Sequence, residues 1–203
     1  MEVTFYRLFA SYSFMMTYEL DAYIFSADIA AHHGFQYDFI GAPVFEGYME
    51  ATPDAAFLPI LNSGFSIRRI SSCLTALQSL RQYRWRWKWQ QFLLSRFRFL
   101  RAWFSPATVQ AVLDDHLKGY FKGGYFHEDM IWTFVVPALF PFFRTAPPEV
   151  AARFSFEVNA ARLFRLNRQQ LPLGCHAWAR FPDFWKDHIP AAAVLPGLKH
   201  NDR

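Results

Sequence analysis

Three short polar islands interrupt a strongly apolar chain: Glu19-Leu20-Asp21, His127-Glu128-Asp129 and Gly174-Cys175-His176. Each falls where an apolar run stops and a turn begins, the position at which an open α/β sheet gathers its chemistry. Carboxylates and a late histidine can together hold a hard divalent cation, and a carboxylate left outside the shell can act as a general base. Glu19 and Asp21, two apart at a strand end, point to one side of the extended backbone. There they can grip an Mg²⁺ or Mn²⁺ ion that bridges the phosphates of a nucleotide sugar. Asp129 is the candidate base for an acceptor hydroxyl, and Glu128 the candidate residue that holds or orients the acceptor. Such a set belongs to a metal-dependent group-transfer enzyme working on a phosphate-bearing donor. Each island also has an ordinary structural explanation. Glu19 and Asp21 can be a solvated acidic turn, Glu128 and Asp129 can complement the dipole at a helix start, and His176 can be a packed or surface imidazole. Cys175 reads as a small buried filler rather than a further ligand.

The elements that must position these residues follow from pattern and punctuation. Glu2 to Ala10 reads as a helix, and the apolar run Ser13 to Tyr18 as a buried strand ending at Glu19. Ser26 predicts a capped short helix to Ala31, closed by Gly34. Tyr37 to Ile40 is a second strand, stopped by Gly41-Ala42-Pro43, and Glu46 to Asp54 is loop. Phe65 to Arg68 is a third strand, entered through an Asn62-Ser63-Gly64 turn, and a helix follows from Ile70 to about Tyr83. Ser105-Pro106 opens a helix to about Lys118, and a glycine-containing loop to Tyr125 leads into a helix from Glu128 to Val136. Pro148 to Arg153 is a short helix, Phe154 to Glu157 a strand, Asn159 to Leu166 a helix and Leu171 to His176 a loop.

Residues Arg81 to Phe104 contain seven arginines and lysines and no acid, with tryptophan and phenylalanine threaded between them. On a helical wheel Trp89, Leu93, Phe97, Leu100 and Phe104 share one stripe; from Arg84 to Trp89 the alternation also fits a strand. Three readings follow: an amphipathic helix packed on the domain with solvated arginines, a face that meets an anionic membrane, and a stacking surface for single-stranded nucleic acid. Nucleic acid is not the expected partner.

The 203 residues suffice for one domain with a real core. With aromatics at 20% of the chain, either that core is bulky or part of the surface is apolar and meets something. Charged residues at 19% exclude a disordered chain. Cys73 and Cys175 form no disulfide framework and no zinc spacing, which points to a reducing compartment. The first residues lack a signal-peptide layout, and the longest apolar run, Ile131 to Phe143, is broken by two prolines and too short for a bilayer span. A cytoplasmic protein, peripheral at the inner face of the membrane if the basic stretch docks there, is the expectation.

The ordered blocks Tyr18 to Phe25, Tyr37 to Pro43, Asn62 to Arg68, His127-Glu128-Asp129, Phe154 to Glu157 and Leu171 to Trp178 together resemble a family of glycosyltransferase-like proteins grouped as a domain of unknown function. The resemblance covers about residues 5–187, with 81–104 as a basic aromatic insertion and 188–203 as a C-terminal tail. It implies an α/β, GT-A-like fold with a Rossmann-type mixed sheet flanked by helices, a Mn²⁺ or Mg²⁺ cofactor and a nucleoside diphosphate sugar as donor. The acceptor would be a hydroxyl of a glycan or lipid-linked precursor, in cell-surface glycan synthesis. By position Asp21 matches the second acid of the metal motif, and Glu19 stands where the family usually has glutamine. His176 matches the histidine that completes the metal shell. Asn62, Ser63 and Gly64 match the glycine-rich loop near donor and acceptor, with Ser63 in place of a usual glycine. Asp129 matches the base of inverting members. Only eighteen residues precede Glu19, so the resemblance implies a domain lacking the first nucleotide-binding strands. A non-catalytic glycan-binding or membrane-surface relative is the alternative that such a loss would produce.

Overall fold

The computed structural model describes residues 3–106, 109 and 127–190. Among these the chain forms, in order, α1 (Val3–Leu8), β1 (Phe14–Tyr18), β2 (Tyr23–Ile24), β3 (Phe39–Phe45), β4 (Phe57–Arg69), α2 (Ile70–Arg96), α3 (Glu128–Met130), α4 (Val136–Leu139), α5 (Pro148–Phe154), β5 (Ser155–Phe156), α6 (Ala160–Leu166), β6 (Gly174–Cys175) and α7 (Pro182–Trp185). A π-helical turn at Ile131–Val135 lies between α3 and α4, and 3-10 turns form at Tyr48–Glu50, Arg98–Trp103 and Trp178–Arg180. The architecture is α/β, as the sequence implied, with strand order β1-β4-β3 in one sheet and β2-β6-β5 in the other. No helix among the described residues is long and apolar enough to cross a membrane.

Several local expectations are corrected by the structure. β3 runs through Gly41-Ala42-Pro43 instead of stopping there, and all its residues are buried. A Cβ on Gly41 would lie 2.0 Å from the Asn62 carbonyl oxygen, so the glycine lets the β4 backbone approach closely. Pro43 lies on an edge strand, the place in a sheet where proline is tolerated. Asn62-Ser63-Gly64 is no turn into a strand but the middle of the 13-residue β4. No helix follows Ser26. The Ser26 hydroxyl and the Asp28 carboxylate accept the N–H groups of Asp28 and Ala31 at 3.1 and 2.9 Å, competing with a helical ladder. His33 then enters the left-handed region at φ 62°. α2 continues thirteen residues past Tyr83, through a stretch without glycine or proline. Its inward residues there are Trp87 and Leu94, not the Trp89 to Phe104 stripe. The helix expected over 105–118, apart from its first residues, the loop after it and the tail beyond 190 lie outside the described residues.

The chain divides into two compact units, Met1–Met15 with Tyr37–Phe39 and Arg68–Thr145, and Met16–Gln36 with Ile40–Ile67 and Ala146–Arg203. In the first, Trp132 stacks on Phe143 and meets the edge of Tyr6, with ring centroids 5.5 and 5.6 Å apart. Beside them the buried Arg68 guanidinium donates to the Tyr6 hydroxyl at 2.9 Å and pairs with Glu128, while Trp132 Nε1 donates to the same carboxylate at 3.2 Å. Burial pushes the Tyr6 phenol above its ordinary range against the opposing pull of Arg68. Asp38 is the second buried charge: it accepts the Arg144 N–H at 2.8 Å, the Ser72 hydroxyl at 2.6 Å and Arg69 Nε at 3.1 Å.

The second unit holds the short mixed sheet. β2 pairs antiparallel with β6, Tyr23 opposite Cys175, and β5 pairs parallel with β6, Phe156 opposite Cys175. Behind that sheet Phe45, Phe156, Leu163, Cys175 and Trp185 form a common apolar cluster. The buried thiol of Cys175 is pushed well above its usual range, as fits a packing residue rather than a thiolate ligand.

Removing one partner of a buried ion pair strands the other, a loss of about 3–5 kcal/mol when both are fully enclosed. Glu128 is partly solvated, with 42% of its side chain exposed, so Glu128→Gln is expected to lower unfolding stability by about 2 kcal/mol. Urea titration checks this against the exposed Glu50→Gln; equal midpoints for the two variants would show that Arg68 does not depend on its partner.

Candidate functional site

β1 ends at Tyr18, and the turn after it is fixed by three bonds. Glu19 N–H donates to Gly64 O at 3.0 Å, Ala22 N–H to Glu19 O at 3.0 Å, and the Tyr18 hydroxyl to Ala22 O at 2.8 Å. Leu20 at the tip is 90% exposed, which leaves the two acids on either side of it free to turn toward the sheet. The β2–β6 register then carries the end of the chain to the same place. His176 N–H donates to Phe156 O at 2.9 Å, and Trp178 N–H to Asp21 O at 3.4 Å. Residues 157 positions apart thus meet.

At the meeting point the imidazole of His176 lies among three carboxylates. Nε2 is 3.1 Å from Glu19 Oε2 and 3.3 Å from Asp21 Oδ1, and Nδ1 is 3.2 Å from Glu157 Oε1. Burial alone would lower the imidazole pKa; the hydrogen bond and charge of Glu157, helped by Asp21 and Glu19, outweigh it and lift the group to about 8. Gly64 forms the wall behind the ring. A Cβ there would sit 2.3 Å from His176 Nε2, so any side chain at 64 displaces the imidazole. Glu19, Asp21 and His176 each offer one ligand atom, all within 4.8 Å of one another. Three acids around one imidazole leave the cluster net negative in either protonation state, a setting that attracts a dication.

The sequence-predicted residues divide accordingly. Glu19, Asp21 and His176 come together. Asn62, Ser63 and Gly64 lie on the strand beside them, where Asn62 Oδ1 accepts the Gly64 N–H at 2.7 Å and Ser63 O accepts the Ser66 hydroxyl at 2.9 Å. These bonds hold Gly64 in position behind the imidazole. Glu128 and Asp129 belong to the first unit. Glu128 is engaged by Arg68 and Trp132. The Asp129 carboxylate accepts the Met130 N–H at 2.9 Å, and its carbonyl accepts the Thr133 hydroxyl at 2.7 Å. Glu157 was missed. It is 5% exposed and fixes the ring through Nδ1, the role a carboxylate takes behind a metal-binding histidine. Its signal was an acid closing the apolar Phe154-Ser155-Phe156 run, where a buried charge needs a partner.

Residues 1–176 match the family described as Protein of unknown function (DUF5672). No curated protein and no solved structure matches the chain. The match spans most of the chain, which therefore belongs to that family.

In the unfolded chain an imidazole titrates near 6.5. His176 titrates near 8 when folded, so its contribution is complete below about pH 6.5 and is lost as pH rises through about 8. The chelator-treated protein is therefore expected to show a falling Tm between about pH 6.5 and 8.5, with the slope much reduced in His176→Gln. The same slope in both proteins would mean that other groups govern it. Gly64→Ala should lose the slope as well, because the methyl group drives the ring out of its carboxylate nest.

Proposed function

We propose that the chain is a metal-dependent glycosyltransferase with a GT-A-like arrangement, moving a sugar from a nucleoside diphosphate donor to a hydroxyl acceptor in cell-surface glycan synthesis. The observation that carries this reading is the convergence of Glu19, Asp21 and His176 from opposite ends of the chain. A solvated acidic turn needs no buried histidine, and a histidine packed for stability needs no exposed acids on its outer nitrogen. Both occur together where an ion is to be held between protein and solvent-borne phosphate.

Two carboxylates and an imidazole suit Mn²⁺ better than Mg²⁺, which prefers oxygen throughout. A cation held there supplies Lewis-acid neutralisation of the departing diphosphate. The chain's own residues do the rest. Glu157 keeps the proton on Nδ1; Nε2–H donates to Glu19 in the ion-free protein, and with a cation in that proton's place Nε2 would present its lone pair to the ion. Gly64, without a side chain, leaves the room that the Nε2 end of the ring occupies. The base that the family resemblance implies is Asp129: such a base takes the acceptor hydroxyl proton as that oxygen bonds to the anomeric carbon, while the carbon–oxygen bond to the diphosphate breaks with its electron pair. This displacement inverts the anomeric centre. Glu128, already paired with Arg68, fits a structural part better than the acceptor-orienting one.

Calorimetry and a transfer assay with a panel of nucleotide sugars test the assignment. UDP binding should require Mn²⁺ and vanish in Asp21→Ala and His176→Ala. Asp129→Ala should keep metal-dependent UDP binding and lose transfer by about 10²–10⁴-fold. Metal-independent UDP binding, or transfer that survives both Asp21→Ala and Asp129→Ala, would refute these roles.

A further inference from the structure

The outer face of α2 has no part in the metal cluster. Trp85, Trp89 and Phe92 follow at i, i+4 and i+7, one exposed stripe on the side opposite the buried Trp87 and Leu94. They are 67%, 50% and 54% exposed. Beyond the helix the same surface chemistry continues with Phe99 and Trp103, 68% and 83% exposed. Aromatic side chains of this size rarely stand in water in such number on one segment. Arg81, Arg84, Arg86, Lys88, Arg96 and Arg98 flank them, all exposed, with no acid anywhere from 81 to 104. Among the described residues none of these cations forms an ion pair within that stretch.

Next to the stripe is a cleft of about 580 Å³ between α1 and α2, lined by Arg7, Arg81, Arg86, Gln78, Gln82 and Trp85. Guanidinium and amide donors, with no carboxylate lining the cleft among the described residues, make a receptor for phosphate oxygens. An indole at its rim matches the preference of tryptophan for the boundary between headgroup and acyl chain.

From these features we infer that this face docks on an anionic phospholipid bilayer, with the aromatic stripe at the headgroup boundary and a lipid phosphate in the arginine cleft. Charge decides against a second copy of the chain, since two such faces would oppose like with like. Ring geometry decides against single-stranded nucleic acid. Trp85 meets Trp89, and Trp89 meets Phe92, edge to face at 6.0 and 6.1 Å, so the rings stand at angles to one another and not as the parallel platforms on which successive bases stack. The aromatic–cationic combination needs apolar and anionic partners at one surface, which a bilayer supplies. The inference uses residues of the first unit alone and stands or falls apart from the metal reading.

Co-sedimentation of the full chain with vesicles is the test, using phosphatidylcholine alone and phosphatidylcholine mixed with phosphatidylglycerol. The protein is expected to pellet only with the mixed vesicles, and to be released as salt is raised. Each basic residue near such a surface strengthens binding by about fivefold. The triple variant Arg81→Gln, Arg86→Gln, Lys88→Gln should therefore partition about a hundredfold more weakly. Trp85→Ser with Trp89→Ser should weaken it at least tenfold; every substituted side chain is exposed, and an unchanged circular dichroism spectrum shows that the fold persists. The inference is overturned if the wild type stays in the supernatant with both vesicles or if the variants pellet like wild type. It is equally overturned if oligo-dT binds more tightly than the mixed vesicles, or if the aromatic variant only breaks a dimer.

Discussion

A histidine buried without a partner is a liability, because burial opposes its charged form and leaves its ring nitrogens without water. In this protein three carboxylates answer that cost, one on the inner nitrogen and two on the outer, and the remainder of the second unit is arranged so that they can. Glu157 closes β5, Glu19 and Asp21 border the turn after β1, and the ring itself follows β6. The turn after β1 thus contributes two acids, and the ends of β5 and β6 one titratable side chain each. Their pairing is stable because it is backed by a dense apolar cluster around Phe156 and Trp185.

The two sides of the imidazole differ in a way that matters for chemistry. Glu157 is almost wholly buried, whereas Glu19 keeps 56% and Asp21 33% of its side chain exposed. The inner carboxylate therefore sets ring orientation, and the outer pair faces solvent. Nε2 carries its proton between those outer acids. On the proposed reading a divalent ion would have to expel that proton, so cation and proton would compete for one nitrogen. Gly64 shows how tightly this is drawn: the strand backbone comes so near the ring that no β-carbon fits.

Much of this was legible from residue order. The acidic pair after an apolar run, the late histidine and the α/β class all follow from pattern, and the pair and the histidine do meet. What sequence could not supply was the depth at which each residue sits. Glycine and proline in Gly41-Ala42-Pro43 read as a stop, yet here they mark an edge strand and a close backbone approach, which depend on neighbours distant in sequence. Ser26 read as a helix cap because the competing Asp28 turn uses the same donors. In α2 the wheel grouped an apolar stripe but could not say which face is buried: Trp87 and Leu94 turn inward while Trp85, Trp89 and Phe92 remain in water. Glu157 carried only a weak signal for a similar reason: an acid closing an apolar strand can be solvated or buried, and its partner, His176, lies 19 residues on.

The central claim is that the outer nitrogen of His176 and the carboxylates of Glu19 and Asp21 form a cation site. Anomalous diffraction at the manganese edge, from crystals grown with Mn²⁺ and UDP, addresses it most directly. The account predicts one strong peak bounded by those three side chains, with Glu157 still on Nδ1 and the nucleotide diphosphate on the open side. Density showing His176 Nε2 still hydrogen-bonded to Glu19, and manganese bound elsewhere or nowhere, would contradict it.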